Sequence, residues 1–238
     1  MAIAGASQTF TMDVMNQQRT RNSITAGYVR YADRHDAGRR LAAAVRDAIP
    51  ERGDEVVVLA MPRGGVPVAA EVATALRTPL HLVMVRKLGV PEQPELAVGA
   101  IGEGGARFVD GGIARRFGVT PASLAAVERR ERLELERRMQ LYGDAARRPS
   151  LRNKVAVVVD DGIATGATAR AACRAARCLG ATTVVLAVPA APSGWRQSLA
   201  GEADVLIAIG EADVPAVGFW YDDFSQVSDD EVIRLLAA

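Results

Sequence analysis

Val155-Ala-Val-Val-Val-Asp160-Asp161-Gly162-Ile163-Ala164-Thr165-Gly166-Ala167-Thr168 joins an apolar run, two adjacent carboxylates and a loop of small residues. The β-branched run Val155–Val159 has no polar alternation, the pattern of a strand covered on both faces in a parallel sheet. Asp160 and Asp161 follow where that strand ends, and ligands of open α/β sheets bind at the carboxyl edge of the strands. From Ala164 to Thr168 every side chain is small, so the backbone can approach an anion closely. The alanine-rich segment 167–179 reads as a helix whose N-terminus carries partial positive charge and suits a phosphate group. Thr165 and Thr168 add hydroxyl donors. Two carboxylates repel a phosphate but serve sugar hydroxyls or Mg²⁺, so the ligand implied is a phosphorylated sugar with free hydroxyls. A Walker loop is excluded, because Gly162 and Gly166 are one residue too close and no lysine follows; the glycine spacing of a dinucleotide fingerprint is absent as well.

Four more apolar runs, 56–60, 80–85, 183–188 and 205–209, alternate with helical or loop segments. Together with Val155–Val159 they predict an α/β fold: a parallel sheet of about five strands with helices on both faces. An amphipathic helix is expected from Tyr31 to Ala48, stopped by Pro50, and another from Val68 to Leu76. Residues 1–26 are polar and aperiodic and read as a mobile extension. Residues 27–238 read as a single domain carrying a helical insertion at about 110–150. Within it, residues 121–142 include the charge run 128–138, with acids and arginines three and four apart, which reads as a solvated helix face or a dimer surface over a thin stripe of Leu124, Val127, Leu135 and Met139.

The 238 residues, 49% hydrophobic, are enough for a sizeable core, and the net charge of +1 gives no electrostatic case for nucleic acid. Of the 29 basic residues only Lys87 and Lys154 are lysine. Cys173 and Cys178 fall on one helix with diverging side chains, so no disulfide is expected between them. The absence of a membrane-length apolar run and of a basic-then-apolar leader pattern leads us to expect a cytoplasmic protein.

Two further segments follow expected strands. Arg63-Gly64-Gly65 supplies bare backbone N–H groups beside a fixed cation, a combination suited to a doubly charged anion such as pyrophosphate. Arg86-Lys87 opens the Pro/Gly-rich stretch 86–105, which looks too broken for a regular element and reads as a lid or binding loop, a β-hairpin with a solvated basic pair being the alternative. In the tail, residues 214–224 gather Phe219, Trp220, Tyr221 and Phe224 in a chain that is only 5% aromatic. Such rings serve equally as stacking partners for a flat base or as core.

The 155–168 stretch resembles the phosphoribosyl pyrophosphate (PRPP) signature of the type I phosphoribosyltransferases: apolar residues, two acids, two variable residues, then a small or acidic residue before Thr-Gly-x-Thr. The resemblance implies a type I phosphoribosyltransferase-like fold with a small hood, at about 190–238. It implies a Mg²⁺-dependent transfer of the phosphoribosyl group from PRPP to a nitrogenous base, in nucleotide salvage, by a homodimer. Asp160 and Asp161 would hold the ribose hydroxyls, directly or through Mg²⁺. Residues 163–168 (Ile163, Ala164, Thr165, Gly166, Ala167, Thr168) would bind the 5′-phosphate, and Arg63, Gly64 and Gly65 the pyrophosphate. Arg86 and Lys87 would neutralise the leaving group from a mobile lid, with Glu95 or Glu103 offering a carboxylate to the nucleophile. In the hood, Trp220 and Tyr221 would stack on the base and Asp222 would serve a second Mg²⁺. Ala164 departs from the 6-oxopurine enzymes, which carry an aspartate base there, so the acceptor stays open. The alternatives are a PRPP-binding regulator with little or no catalysis and, more blandly, a sugar-phosphate hydrolase or binding protein.

Overall fold

The computed structural model describes residues 29–49, 55–143 and 149–237; the expected extension 1–26 and the stop at Pro50 lie outside them. In chain order the elements are α1 (Arg34–Ala48), β1 (Val56–Ala60), α2 (Gly65–Leu76), β2 (Leu80–Leu82), β3 (Val85–Val90), β4 (Gln93–Gly102), β5 (Arg107–Val109), α3 (Gly111–Arg116), α4 (Pro121–Tyr142), β6 (Val155–Val159), α5 (Ala167–Cys178), β7 (Thr183–Ala191), α6 (Trp195–Ser198), β8 (Val205–Glu211) and α7 (Asp229–Leu236), with a 3-10 turn at Val217–Trp220.

All five expected strands form, and they pair in parallel in the order β2-β1-β6-β7-β8. The unbroken apolar runs are explained by what each face meets. Val56, Val58, Ala60, Val155, Val157 and Val159 point to a core shared with Leu41 and Val45 of α1, Val68 and Val72 of α2, and Val232 of α7. Val57, Leu59, Ala156 and Val158 point the other way, onto Ala169, Ala172, Cys173 and Ala176 of α5 and onto Trp195. A strand buried on both faces needs no polar alternation. Both cysteines are unpaired, Cys173 buried and Cys178 exposed. Among the described residues no helix is long and apolar enough to cross a membrane.

The stretch after β2 corrects one expectation. The strand seen at 80–85 ends at Leu82, and Arg86 and Lys87 open a new strand rather than close the old one. Residues 85–109 are not a structureless loop but a three-stranded antiparallel sheet, β3-β4-β5. Its glycines, which look like breakers in sequence, are where backbones meet. A Cβ on Gly89 would lie 2.4 Å from the Pro94 carbonyl oxygen, and one on Gly99 2.3 Å from that of Phe108. Leu88, Val90, Val98 and Ile101 form their own apolar cluster with Val127 of α4.

Helix α4 starts where Thr120 and Ser123 form a capping box spanning Pro121, the first helical residue. Much of its charge run behaves as expected, with Glu128–Arg132 and Glu134–Arg138 paired across one turn. Glu131 departs from the solvated-face reading: it is buried and turned inward. The aromatic tail is bound to the start of the described chain, where Tyr31 bridges Tyr221 and donates its N–H to the Trp220 carbonyl at 2.9 Å.

Gly99→Val should place a side chain against the Phe108 carbonyl and break the β4–β5 pairing. Overpacking of this kind costs about 1–3 kcal/mol, or roughly 2–4 °C of thermal midpoint per kcal/mol. Amide exchange should lose protection in 85–127 while β1, β6 and β7 keep theirs; uniform loss across both sheets would contradict a separate antiparallel core.

Candidate active site

Strands β1 and β6 lie side by side with Ala60 opposite Val159, so the segments that follow them leave the sheet at the same edge. The Met61 N–H donates to the Val159 carbonyl at 2.9 Å, and the Gly65 N–H to the Met61 carbonyl at 3.0 Å. This coils residues 61–65 directly against Asp160 and Asp161, and the Pro62–Arg63 peptide within the coil is cis. Neither glycine tolerates a side chain there: a Cβ on Gly64 would stand 2.1 Å from Asp161 Oδ2, and one on Gly65 2.8 Å from the Val159 carbonyl oxygen. The two glycine-containing loops that the sequence singled out are thus in contact.

The carboxylates are half-buried at the end of an apolar sheet. The Asp161 N–H donates to Asp160 Oδ1 at 2.9 Å. Burial, and then the neighbouring charge of Asp161, push Asp160 well above the usual carboxylate range. Burial raises Asp161 too, opposed by the Arg34 guanidinium. Arg34 lies in the first turn of α1; its Nε donates to Asp161 Oδ2 at 2.9 Å, its Nη1 to the Ser225 carbonyl at 2.7 Å, and its guanidinium lies 3.9 Å from the Phe224 ring centroid. Sequence reasoning missed Arg34 altogether, since nothing in 31–41 beyond an amphipathic helix start signals it.

Past the acids, the Ile163 N–H donates to the Ala190 carbonyl at 2.9 Å, and the Ile163 side chain is buried in the α5 face of the core. Ala164 and Thr165 are exposed, Thr168 is half-buried, and Gly166 and Ala167 are buried. Gly166 adopts φ 77°, a conformation open to glycine, and precedes α5 without any side-chain cap. The first N–H groups of α5 are therefore left without a capping side chain, as an anion site at a helix N-terminus requires.

Arg86, Lys87, Asp160 and Thr168 line one cleft of about 390 Å³ together with Met61 and Pro62, and α4 contributes Arg130, Glu131 and Arg138 to it. Arg86 is already engaged there: its Nε and Nη2 donate to Glu131 Oε2 at 3.0 and 2.7 Å. Arg63 Nη1 lies 3.8 Å from Asp229 Oδ2, and Asp229 Oδ1 accepts the Tyr142 hydroxyl at 2.6 Å.

Other expected site residues are placed elsewhere. Trp220 and Tyr221 do not offer rings to a base: they are 1% and 2% exposed, and Trp220 lies so close to Gly210 that a Cβ there would be 2.4 Å from its Cζ3. Tyr221 donates its hydroxyl to the Asp161 carbonyl at 2.5 Å, bracing the backbone of the acid pair. Asp222 is paired with Arg30 and largely exposed, and among the described residues no three His, Cys, Asp or Glu side chains gather as a metal site. It therefore does not join Asp160 and Asp161. Glu103 is buried with Oε1 accepting the Met84 N–H at 2.7 Å, so it supports the base of the hairpin and not a nucleophile. The side chain of Glu95, on β4, lies outside the described residues. Two adjacent hard carboxylates are donors of the kind a divalent cation such as Mg²⁺ takes, but a cation there would have to share Asp161 with the Arg34 guanidinium.

A family model described as the phosphoribosyl transferase domain matches residues 30–222. Two curated relatives, from Mycobacterium tuberculosis strains H37Rv and CDC 1551, carry the provisional name phosphoribosyl transferase. Each is 49% identical over 207 residues, covering 87% of this chain and 46% of the relative. The chain thus spans about half the length of the curated relatives it matches. The crystal structure of TT1426 from Thermus thermophilus superposes with a TM-score of 0.73 at 37% identity, covering 87% of this chain and 98% of that one.

Asp160→Asn should expose the cost of the buried charge. A carboxyl whose folded pKa is raised contributes stability that is present below its unfolded value, roughly pH 4, and lost as pH rises through the folded value. At pH 7 the amide should therefore raise the thermal midpoint, by about 2–4 °C for ~1 kcal/mol, and the gain should fade as the pH falls toward 4. A lower midpoint at pH 7 would instead make Asp160 a structural partner.

Proposed function

The chain belongs to the phosphoribosyl transferase family, and from that membership we propose that it transfers the 5-phosphoribosyl group of PRPP to a nitrogenous base, releasing pyrophosphate. The observation that carries this reading is the contact between the two anion loops: Gly64 and Gly65 packed on Asp161 and Asp160 at the common edge of β1 and β6. A ligand holding a phosphate and a pyrophosphate on one ribose spans such a pair of loops.

In this reading the bare N–H groups at the start of α5, with Thr165 and Thr168, bind the 5′-phosphate. Asp160 and Asp161 accept hydrogen bonds from the ribose hydroxyls, and the backbone of 63–65 faces the pyrophosphate. The bond from C1 of the ribose to the pyrophosphate oxygen breaks with its electron pair leaving on that oxygen, while the nitrogen of the acceptor forms its bond to C1. Positive charge builds on the ribose and negative charge on the leaving group, so cations fixed beside the latter favour the transition state. Arg63, Arg86 and Lys87 are the cations in question. Mg²⁺ held by Asp160 and Asp161 would add charge neutralisation of the pyrophosphate. With Trp220 and Tyr221 buried, the acceptor has to find other walls than those rings.

A second reading, a PRPP-binding regulator without efficient chemistry, draws support from Arg63 and Arg86 each facing a carboxylate within the chain. Pyrophosphate release on mixing protein, Mg²⁺ and PRPP with purine, pyrimidine and nicotinate-like acceptors separates the two: tight PRPP binding with no release for any acceptor favours the regulator. Lys87→Ala should lower kcat by about one to two orders of magnitude, the range for losing one stabiliser of developing charge, while PRPP affinity changes much less. Gly64→Ala should abolish PRPP binding, because the added methyl displaces Asp161. Retained affinity in calorimetry would rule out the loop pair as the PRPP site.

A further inference from the structure

Besides Asp160, one group lining the cleft has a charge opposite to that expected of a polyphosphate site. Glu131 is 8% exposed and shares the cleft with Arg86, Lys87, Arg130 and Arg138. Its Oε2 takes both inner donors of Arg86, and its Oε1 accepts from Arg130 Nε at 3.1 Å. A guanidinium fork engaged in this way is a good match for a phosphate as well as for a carboxylate. The anion that would neutralise Arg86 during the proposed reaction is already supplied by the chain itself. A looser contact lies at the far end of the helix, where Asp229 Oδ2 is 3.8 Å from Arg63 Nη1 and Asp229 Oδ1 accepts the hydroxyl of Tyr142, the last residue of α4.

We propose that Glu131 sets the affinity for the pyrophosphate end of the substrate by competing with it for Arg86, and that a bound pyrophosphate releases the middle of α4 from β3. The inference rests on reading the cleft as the PRPP site. Its physical basis is an exchange of like for like. The ligand replaces Glu131 as the partner of Arg86 while Glu131 keeps Arg130; parting Arg86 from a buried carboxylate carries a cost, and the apparent affinity is lowered accordingly. The helix can yield in this way because its apolar contact around Glu131 is thin: Val127 belongs to the antiparallel core and Leu135 and Tyr142 to the main core, whereas Leu133 and Leu141 are exposed. Glu131 thereby acts as a positioning residue for α4 and a competitor for the substrate, and takes no part in bond making.

The test is calorimetric titration of the whole chain with Mg²⁺-pyrophosphate and with Mg²⁺-PRPP. Glu131→Gln should bind pyrophosphate about three- to tenfold more tightly than wild type. Glu128→Gln removes the same charge from the same helix, but from a residue paired with Arg107 and Arg132, and should stay within about twofold of wild type. Amide exchange in 121–142 should quicken in wild type when pyrophosphate is added, and should already be quick in unliganded Glu131→Gln. If that variant does not fold, Glu131→Asp, too short to reach Arg86 and Arg130 together, should show a smaller tightening in the same direction. Equal or weaker binding by the Glu131 variants, or equal tightening by Glu128→Gln, overturns the inference while leaving the PRPP reading intact. Failure of wild type and all variants to bind either ligand overturns both.

Discussion

The parallel pairing of β1 with β6, in the register that sets Ala60 against Val159, is the constraint on which the site depends. Parallel strands end at the same edge, so the two chain segments with special backbone needs are brought together without any dedicated contact between their side chains. Closeness then imposes its own requirement. With the coil of 61–65 resting on the acid pair there is no room for a Cβ at Gly64 or Gly65, and the glycines that leave the backbone bare are also those that let the two loops touch. A one-residue slip between these strands would exchange the two faces of the sheet and send Val157 and Val159 toward α5, so register and site stand or fall together.

The electrostatics of the edge follow from burial. Two adjacent carboxylates emerge from an apolar sheet where water is scarce, and the Arg34 side chain offsets that cost by pairing with Asp161. Tyr221, whose ring lies beside the Arg34 guanidinium, braces the backbone of the same residue. The aromatic tail therefore belongs to the site as support: the bridge from Tyr31 to Tyr221 clamps the segment leading into α1 onto the segment leading out of β8, and both Arg34 and the Tyr221 hydroxyl reach Asp161 from that clamp.

Much of the fold was legible because its signals are local. Five apolar runs gave five strands, the alanine-rich stretch gave α5, and Pro121 to Tyr142 gave α4 at those residues. The PRPP-like stretch could be recognised since strand, acids and small residues are contiguous. What stayed hidden depends on distant partners. Gly89 and Gly99 look like loop residues until Pro94 and Phe108 are seen to lie against them. Glu131 is one acid in a regular run of charges until β3 supplies Arg86. Trp220 and Tyr221 are ambiguous by nature, because a ring that stacks on a base and a ring that fills a core have the same chemistry, and only the Gly210 and Tyr31 neighbours decide between them.

The β1–β6 pairing also bears on how the chain acquires its binding competence. Its partners are separated in sequence by the whole antiparallel sheet and the long α4, whereas the β3–β4 hairpin and α4 draw on near neighbours. Local contacts of that kind close at small entropic cost, whereas the long-range parallel pairing closes a far longer loop. The edge shared by β1 and β6 therefore exists only once this pairing is made, and a ligand that takes that edge, in the reading proposed above, binds the paired state alone and stabilises it by mass action.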